Sequence, residues 1–120
     1  MCSSDLLGVP VYDLLGGKCR DRIRCYANNW GRKTESLDVL KKRADEALGY
    51  GFNALKWDPF GPAYLQLPPQ QLRKALEQIE TVREHVGPDI DLLIEAHGRF
   101  DVPTAIRVGK AIAEIGRAHV

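Results

Sequence analysis

Apolar and polar positions alternate along this chain with two different periods, which predict strands and helices in turn. Three short segments, residues 22–27, 53–57 and 90–95, either alternate polar with apolar side chains or are nearly all apolar. Each runs into turn-forming residues such as Asn, Pro or Gly, as strands commonly do. We therefore predict three short strands.

Each predicted strand is followed by a longer segment in which apolar residues recur every three or four positions. This spacing predicts three amphipathic helices. Residues with cap or first-turn preferences mark the beginnings: Thr34 or Ser36 for the first helix, Pro68 and Pro69 for the second, and Asp101 for the third. Glycine-containing turns end the first two helices.

The resulting order is βαβαβα, which favours an α/β fold with parallel strands, because parallel neighbours need a crossover connection. Open doubly wound sheets and closed (β/α)8 barrels both place their chemistry at the carboxyl ends of the strands. The loop after the first strand, residues 27–31, lacks the spacing of a Gly-rich phosphate loop. This favours the barrel over a nucleotide-binding sheet.

Composition and charge narrow the function classes. The chain has 120 residues and a formal net charge of +1, with no basic stripe interleaved with aromatic residues, so we expect no nucleic-acid partner. No apolar run is long enough to span a membrane, and we expect a cytoplasmic protein. Cys2, Cys19 and Cys25 form no C-x-x-C motif, and we expect Cys25 to be buried on a strand.

The two ends of the chain look foreign to the rest. Residues 2–6 and 115–120 resemble conceptual translations of a sequencing adapter, one strand at each end. We therefore expect residues 1–6 and 115–120 to be artefacts that carry no functional weight. Residues 7–114 would then be a fragment of a longer protein.

Polar pairs follow two of the predicted strands. Glu95 and His97 lie two residues apart where the third strand ends, and Lys56 and Asp58 do the same at the end of the second. Side chains two apart on a strand point to the same face. A carboxylate beside a histidine is suited to binding a hard cation next to an acid or base group.

Four segments of the chain, taken together, resemble the enolase superfamily, and within it the acid-sugar dehydratases of the mandelate racemase group. They are residues 11–18, 22–26, 51–60 and 93–99. The resemblance implies that residues 7–20 are the end of a capping domain and its linker. It also implies that residues 21–114 are the first three βα units of a (β/α)7β TIM-like barrel with its helices outside.

The same resemblance implies roles for individual residues. Family members bind Mg²⁺ through carboxylates at the ends of the third, fourth and fifth strands, and Glu95 matches the first of these ligands. His97 matches a general acid that acts on the departing hydroxyl. Lys56 would be an electrostatic or hydrogen-bonding partner of the substrate. Asp58 stands where racemases carry a second lysine, which argues against two-base racemisation.

We assign Asp58, together with Asn28 and Arg99, to substrate binding; Arg99 could instead orient His97. Each assignment has a structural alternative. Lys56 and Asp58 could simply pair with each other at the surface, Glu95 could be an ordinary loop acid, and His97 could only satisfy its turn. Asn28 could belong to a capped loop with one packed aromatic residue.

The resemblance therefore implies a Mg²⁺-dependent hydro-lyase that removes the α-proton of a sugar acid and expels the β-hydroxyl as water. The intermediate would be an enediolate and the product a 2-keto-3-deoxy acid. Alternatives are a racemase, epimerase or cycloisomerase on the same scaffold, or a non-catalytic α/β domain that binds sugar acids or metal. We expect the parent protein to be a homo-oligomer and the isolated fragment to be inactive and marginally stable.

Overall fold

The computed structural model of the chain describes residues 3–31, 36–116 and 118–119, with side chains for residues 5–31 and 36–116. The helices are α1 (Ser3–Leu7), α2 (Val11–Leu14), α3 (Leu37–Gly49), α4 (Pro69–Val86) and α5 (Val102–Ile115). The strands are β1 (Ala27–Asn28), β2 (Ala54–Trp57), β3 (Asp91–Ile94) and β4 (Ala118–His119).

The four strands form one parallel sheet in the order β1-β2-β3-β4, with a helix between each pair of neighbours. The predicted α/β fold with parallel strands is therefore confirmed. Strand β4, whose backbone pairs with β3, lies in the segment that we expected to be an artefact. The predictions that residues 7–20 end a capping domain and that three units of a barrel are present stay predictions.

The first strand is much shorter than predicted. Residues 22–26 were expected to be part of it, but only Ala27 and Asn28 pair with β2, opposite Leu55 and Lys56. In this register the positions opposite residues 22–25 come before Ala54, where β2 begins. Residues 22–25 therefore have no partner on β2. For the same reason the expectation for Cys25 is wrong, because this residue is exposed and outside the strand.

The helices begin where local capping chemistry predicts. The Ser36 hydroxyl accepts a hydrogen bond from Val39 N at 3.3 Å, and the Asp101 carboxylate accepts one from Thr104 N at 2.8 Å. Pro69 is the first residue of α4. The alternative cap, Thr34, lies outside the described residues.

The core lies between the sheet and a single layer of helices. Helix α4 packs between α3 and α5. Leu55 and Leu92, which are opposite each other on β2 and β3, are fully buried under these helices. Lys56 and Leu93 are the next opposed pair, and their side chains are only partly buried because alternate residues point to the other face. The second face of the sheet therefore carries the polar residues.

In the described part of the chain, no helix has both the length and the apolar character needed to cross a bilayer.

Candidate functional site

The predicted site residues lie together at the carboxyl ends of β1, β2 and β3. A cavity of about 560 Å³ opens there between the loops that follow these strands. Five of the six predicted residues line it: Asn28, Asp58, Glu95, His97 and Arg99. The sixth, Lys56, contacts Glu95 beside the cavity.

Glu95 is held in place by both strands. Its backbone N donates to the Trp57 carbonyl at 2.9 Å, which extends the pairing of β2 and β3 by one residue. Its Oε2 forms an ion pair with Lys56 Nζ, and Lys56 also lies over the Tyr26 ring, 5.4 Å from the centroid. The alternative in which Lys56 pairs with Asp58 is therefore wrong.

Lys56 and Glu95 each stabilise the charged form of the other. The hydrogen bond from Lys56, followed by the one from His97 N, lowers the pKa of the Glu95 carboxyl below its ordinary value. The hydrogen bond to Glu95 raises the pKa of the Lys56 ammonium. Glu95 is consequently a carboxylate at neutral pH, and Lys56 is a cation rather than a free base.

His97 approaches Glu95 through a turn rather than through strand alternation. Strand β3 ends at Ile94, and His97 and Gly98 both have left-handed backbones, with φ of 53° and 62°. Histidine is among the residues that tolerate this conformation better than most. The turn lets His97 N donate to Glu95 Oε1 at 2.7 Å. Sequence reasoning thus predicted that the two residues meet, but for the wrong reason.

The His97 imidazole lies between two carboxylates. Its Nδ1 is 3.6 Å from Glu95 Oε1, and its Nε2 is 3.6 Å from Asp58 Oδ2. Both distances exceed those of good hydrogen bonds. The side chain is 62% exposed, so a ligand in the cavity can reach the ring.

Asp58 and Arg99 form the second ion pair of the site. Arg99 Nη2 lies 2.7 Å from Asp58 Oδ1 and 2.9 Å from Oδ2. Asp58 Oδ1 also accepts from Phe60 N at 2.9 Å, which forms a turn at the start of the loop. The Nη2 group of Arg99 and the carboxylate of Asp58 are directed at each other.

Two aromatic residues beside the site, Trp57 and Tyr26, were not assigned to it from the sequence. Trp57 is 2% exposed and packs against Trp30, with ring centroids 5.1 Å apart. Tyr26, which contacts Lys56, was also missed, although its position two residues before Asn28 was a usable signal. Asn28 is on β1 and its side chain accepts from Asn29 N at 3.0 Å, so it is a strand-end residue as well as a turn residue.

The donor chemistry of Glu95 fits one position of a Mg²⁺ site. Its carboxylate is ionised, and hard cations prefer carboxylate oxygens. Asp58 is less available, because Arg99 and Phe60 N already use its oxygens. Among the described residues no group of three His, Cys, Asp or Glu side chains could hold a metal ion. Glu95 can therefore contribute one ligand to a larger set.

Comparisons with known proteins identify relatives of the chain. A family model described as enolase C-terminal domain-like matches residues 39–120. D-gluconate dehydratase of Thermoproteus tenax is 44% identical over 104 residues, which cover 87% of this chain and 21% of that protein. D-gluconate/D-galactonate dehydratase of Picrophilus torridus is 41% identical over 108 residues, covering 90% of this chain and 28% of that protein.

Solved structures give the same result. A member of the enolase superfamily from Salmonella Typhimurium superposes with a TM-score of 0.80 at 30% identity, over 94% of this chain and 34% of that one. A mandelate racemase/muconate lactonizing enzyme-like protein from Rubrobacter xylanophilus superposes with a TM-score of 0.77 at 34% identity, over 95% of this chain and 34% of that one. The chain thus spans between about a fifth and a third of the length of these relatives.

Proposed function

The chain belongs to the enolase C-terminal domain-like family, and from this premise we propose that it supplies part of the active site of a Mg²⁺-dependent sugar-acid dehydratase. Its substrates are aldonic acids of the gluconate or galactonate class, the class that two of its relatives are named for. The observation that carries the proposal is the adjacent Glu95 carboxylate and His97 imidazole at the end of β3.

The reaction needs a strong electrostatic contribution at the substrate carboxylate. A proton α to a carboxylate is very weakly acidic, and each pK unit that separates it from its base costs about 1.4 kcal/mol. Mg²⁺, when bound, stabilises the negative charge that develops on the substrate carboxylate as this proton leaves. Glu95 would be one of the ligands that hold it.

His97 acts on the hydroxyl that leaves from the β-carbon. Hydroxide is a poor leaving group, so His97 donates a proton to the departing oxygen and the C–O bond breaks to release water. The enol that remains takes up a proton at C3 and loses its hydroxyl proton, which gives a 2-keto-3-deoxy acid. The exposed imidazole is accessible from the cavity in which the substrate would lie.

Lys56 binds the substrate in this scheme and does not remove its proton. Its ammonium pairs with Glu95 and lies against Tyr26 at one side of the cavity. A cation at this position attracts an anionic substrate and can hydrogen-bond to its carboxylate or hydroxyl oxygens. The base that takes the α-proton lies outside the described residues.

The test uses the full-length protein encoded by the source DNA, assayed with D-gluconate and D-galactonate. We expect formation of a 2-keto-3-deoxy acid that requires Mg²⁺ and stops when EDTA is added. Glu95→Gln should lower kcat by on the order of 100-fold or more, since it removes a charged ligand. Glu80→Gln, a change of the same type on the exposed face of α4, should leave the rate unchanged.

Two outcomes would contradict the proposal. Exchange of the α-proton with D₂O, followed by NMR, without loss of water would indicate a racemase or epimerase. Binding of sugar acids without either reaction would indicate a non-catalytic domain. In both cases the role of His97 as the acid that expels water would be wrong.

A further inference from the structure

We propose that Arg99 and Asp58 do not bind the substrate but act as a positioning pair, which fixes the His97 imidazole and fastens the loop after β2 onto the segment after β3. This inference rests on the proposed function and refines it, because the same two residues were predicted from the sequence to contact substrate. The geometry of the pair, the loop connection and the exposure of His97 support it.

Both carboxylate oxygens of Asp58 and the Nη2 group of Arg99 are already used within the protein. Arg99 Nη2 contacts both carboxylate oxygens of Asp58, at 2.7 and 2.9 Å, and Phe60 N donates to Oδ1 at 2.9 Å. The side chains of Arg99 and Asp58 are 16% and 24% exposed. A sugar hydroxyl would have to displace charge-assisted hydrogen bonds between partly buried groups, which are about twice as strong as neutral ones.

The same pair joins two loops that are far apart in sequence. Residues 58–67, which follow β2, are attached to the residues after β3 by backbone bonds: Leu65 N donates to Arg99 O at 2.9 Å, and Asp101 N donates to Leu65 O at 2.8 Å. The rings of Phe60 and Phe100 meet edge to face, 5.1 Å apart. The position of Asp58 relative to β3 is therefore determined by several contacts at once.

Asp58 in turn limits where the imidazole can point. His97 is largely exposed and stands on a left-handed turn, and its Nε2 faces Asp58 Oδ2 at 3.6 Å. An aspartate beside a histidine can orient the ring and select which nitrogen faces the substrate. Arg99 keeps the Asp58 side chain in one place, so the effect of Arg99 on the reaction passes through Asp58 and His97.

Kinetics of the full-length dehydratase separate positioning from binding. We expect Asp58→Asn and Arg99→Met each to lower kcat by roughly 10- to 100-fold, the scale expected when a catalytic group is misplaced by about 1 Å, with KM nearly unchanged. The double variant should lose no more than the worse single variant, because both act on one group. Arg99→Lys should recover part of kcat, and Arg73→Met on the exposed face of α4 is the matched control.

Direct substrate binding predicts a different result: KM rises while kcat is kept, and the losses in the double variant add. That result would overturn the proposal.

A second measurement does not depend on activity. In ¹³C relaxation of the His97 ring, Asp58→Asn should increase ring mobility, while slow amide exchange at Leu65 and Asp101 shows that the loop is still attached. An equally rigid ring in this variant would contradict the positioning role. If the unmodified protein dehydrates no sugar acid, the proposed function fails, but the relaxation result still decides what the pair does.

Discussion

Gly31 offers a sharp test of how the site is packed. It is buried after β1, and a Cβ added there would lie 3.1 and 3.2 Å from Trp57 Cδ1 and Cγ and 3.2 Å from Leu40 Cδ1. Favourable carbon contacts need about 3.5–4.0 Å. Trp57 and Leu40 are 2% and 0% exposed, so neither can move outward freely. We expect Gly31→Ala to cost about 1–3 kcal/mol, the usual range for overpacking.

The matched control is the same substitution where space is available. Gly109 lies inside α5, and apart from the backbone of its own helix no atom lies within 4 Å of the added Cβ, so Gly109→Ala should stabilise by about 0.5–1 kcal/mol. Urea unfolding followed by tryptophan fluorescence measures both changes, and Trp57 reports on its own displacement. Equal stability changes in the two variants, with unchanged fluorescence, would refute the packing argument.

Gly31→Ala should also affect the chemistry. Trp57 lies between Lys56 and Asp58 in sequence, and its carbonyl accepts the hydrogen bond from Glu95 N. A shift of the indole by a few tenths of an ångström therefore moves the backbone that carries the site. We expect kcat to fall in this variant and to stay unchanged in Gly109→Ala.

Two further predictions concern stability. The hydrogen bonds from Thr104 lower the pKa of Asp101 in the folded protein below its ordinary 3.8. The Asp101 carboxylate therefore stabilises the fold fully above pH 3.8, and this stabilisation is lost as the pH falls through the pKa of the folded state. The stability difference between the unmodified protein and Asp101→Ala, from urea unfolding, should thus be largest at neutral pH and shrink as the pH falls below 3.8; a difference independent of pH would contradict this. Arg83 Nη1 donates to the carbonyls of Gly87 and Ile90, both at 2.8 Å, so Arg83→Met should cost about 2 kcal/mol in the same assay. A cost no greater than that of Arg73→Met would show that these bonds add little.

Local features of the chain were predictable from the sequence. Ser36, Pro69 and Asp101 begin their helices as expected, because capping depends on residues within one turn. The parallel order of the strands was also predictable, since it follows from alternation with helices. The strand-end location of the site follows from the same alternation.

Features that depend on register were not predictable. The partner of Lys56 is Glu95 rather than Asp58, because β2 and β3 pair Lys56 with Leu93 and bring the end of β3 alongside. The pairing of Asp58 with Arg99 likewise joins residues 41 positions apart. A single sequence carries no signal for which strand residues stand opposite each other, so these partners needed the structure.

The central claim is that Glu95 holds a metal ion beside a bound sugar acid. It is tested most directly by a crystal structure of the full-length protein with Mn²⁺ in place of Mg²⁺ and a non-reacting sugar acid. We predict an anomalous peak within coordination distance of a Glu95 carboxylate oxygen, with the acid in the cavity next to His97. A Glu95 still paired with Lys56, with the metal and the acid bound elsewhere, would contradict the claim.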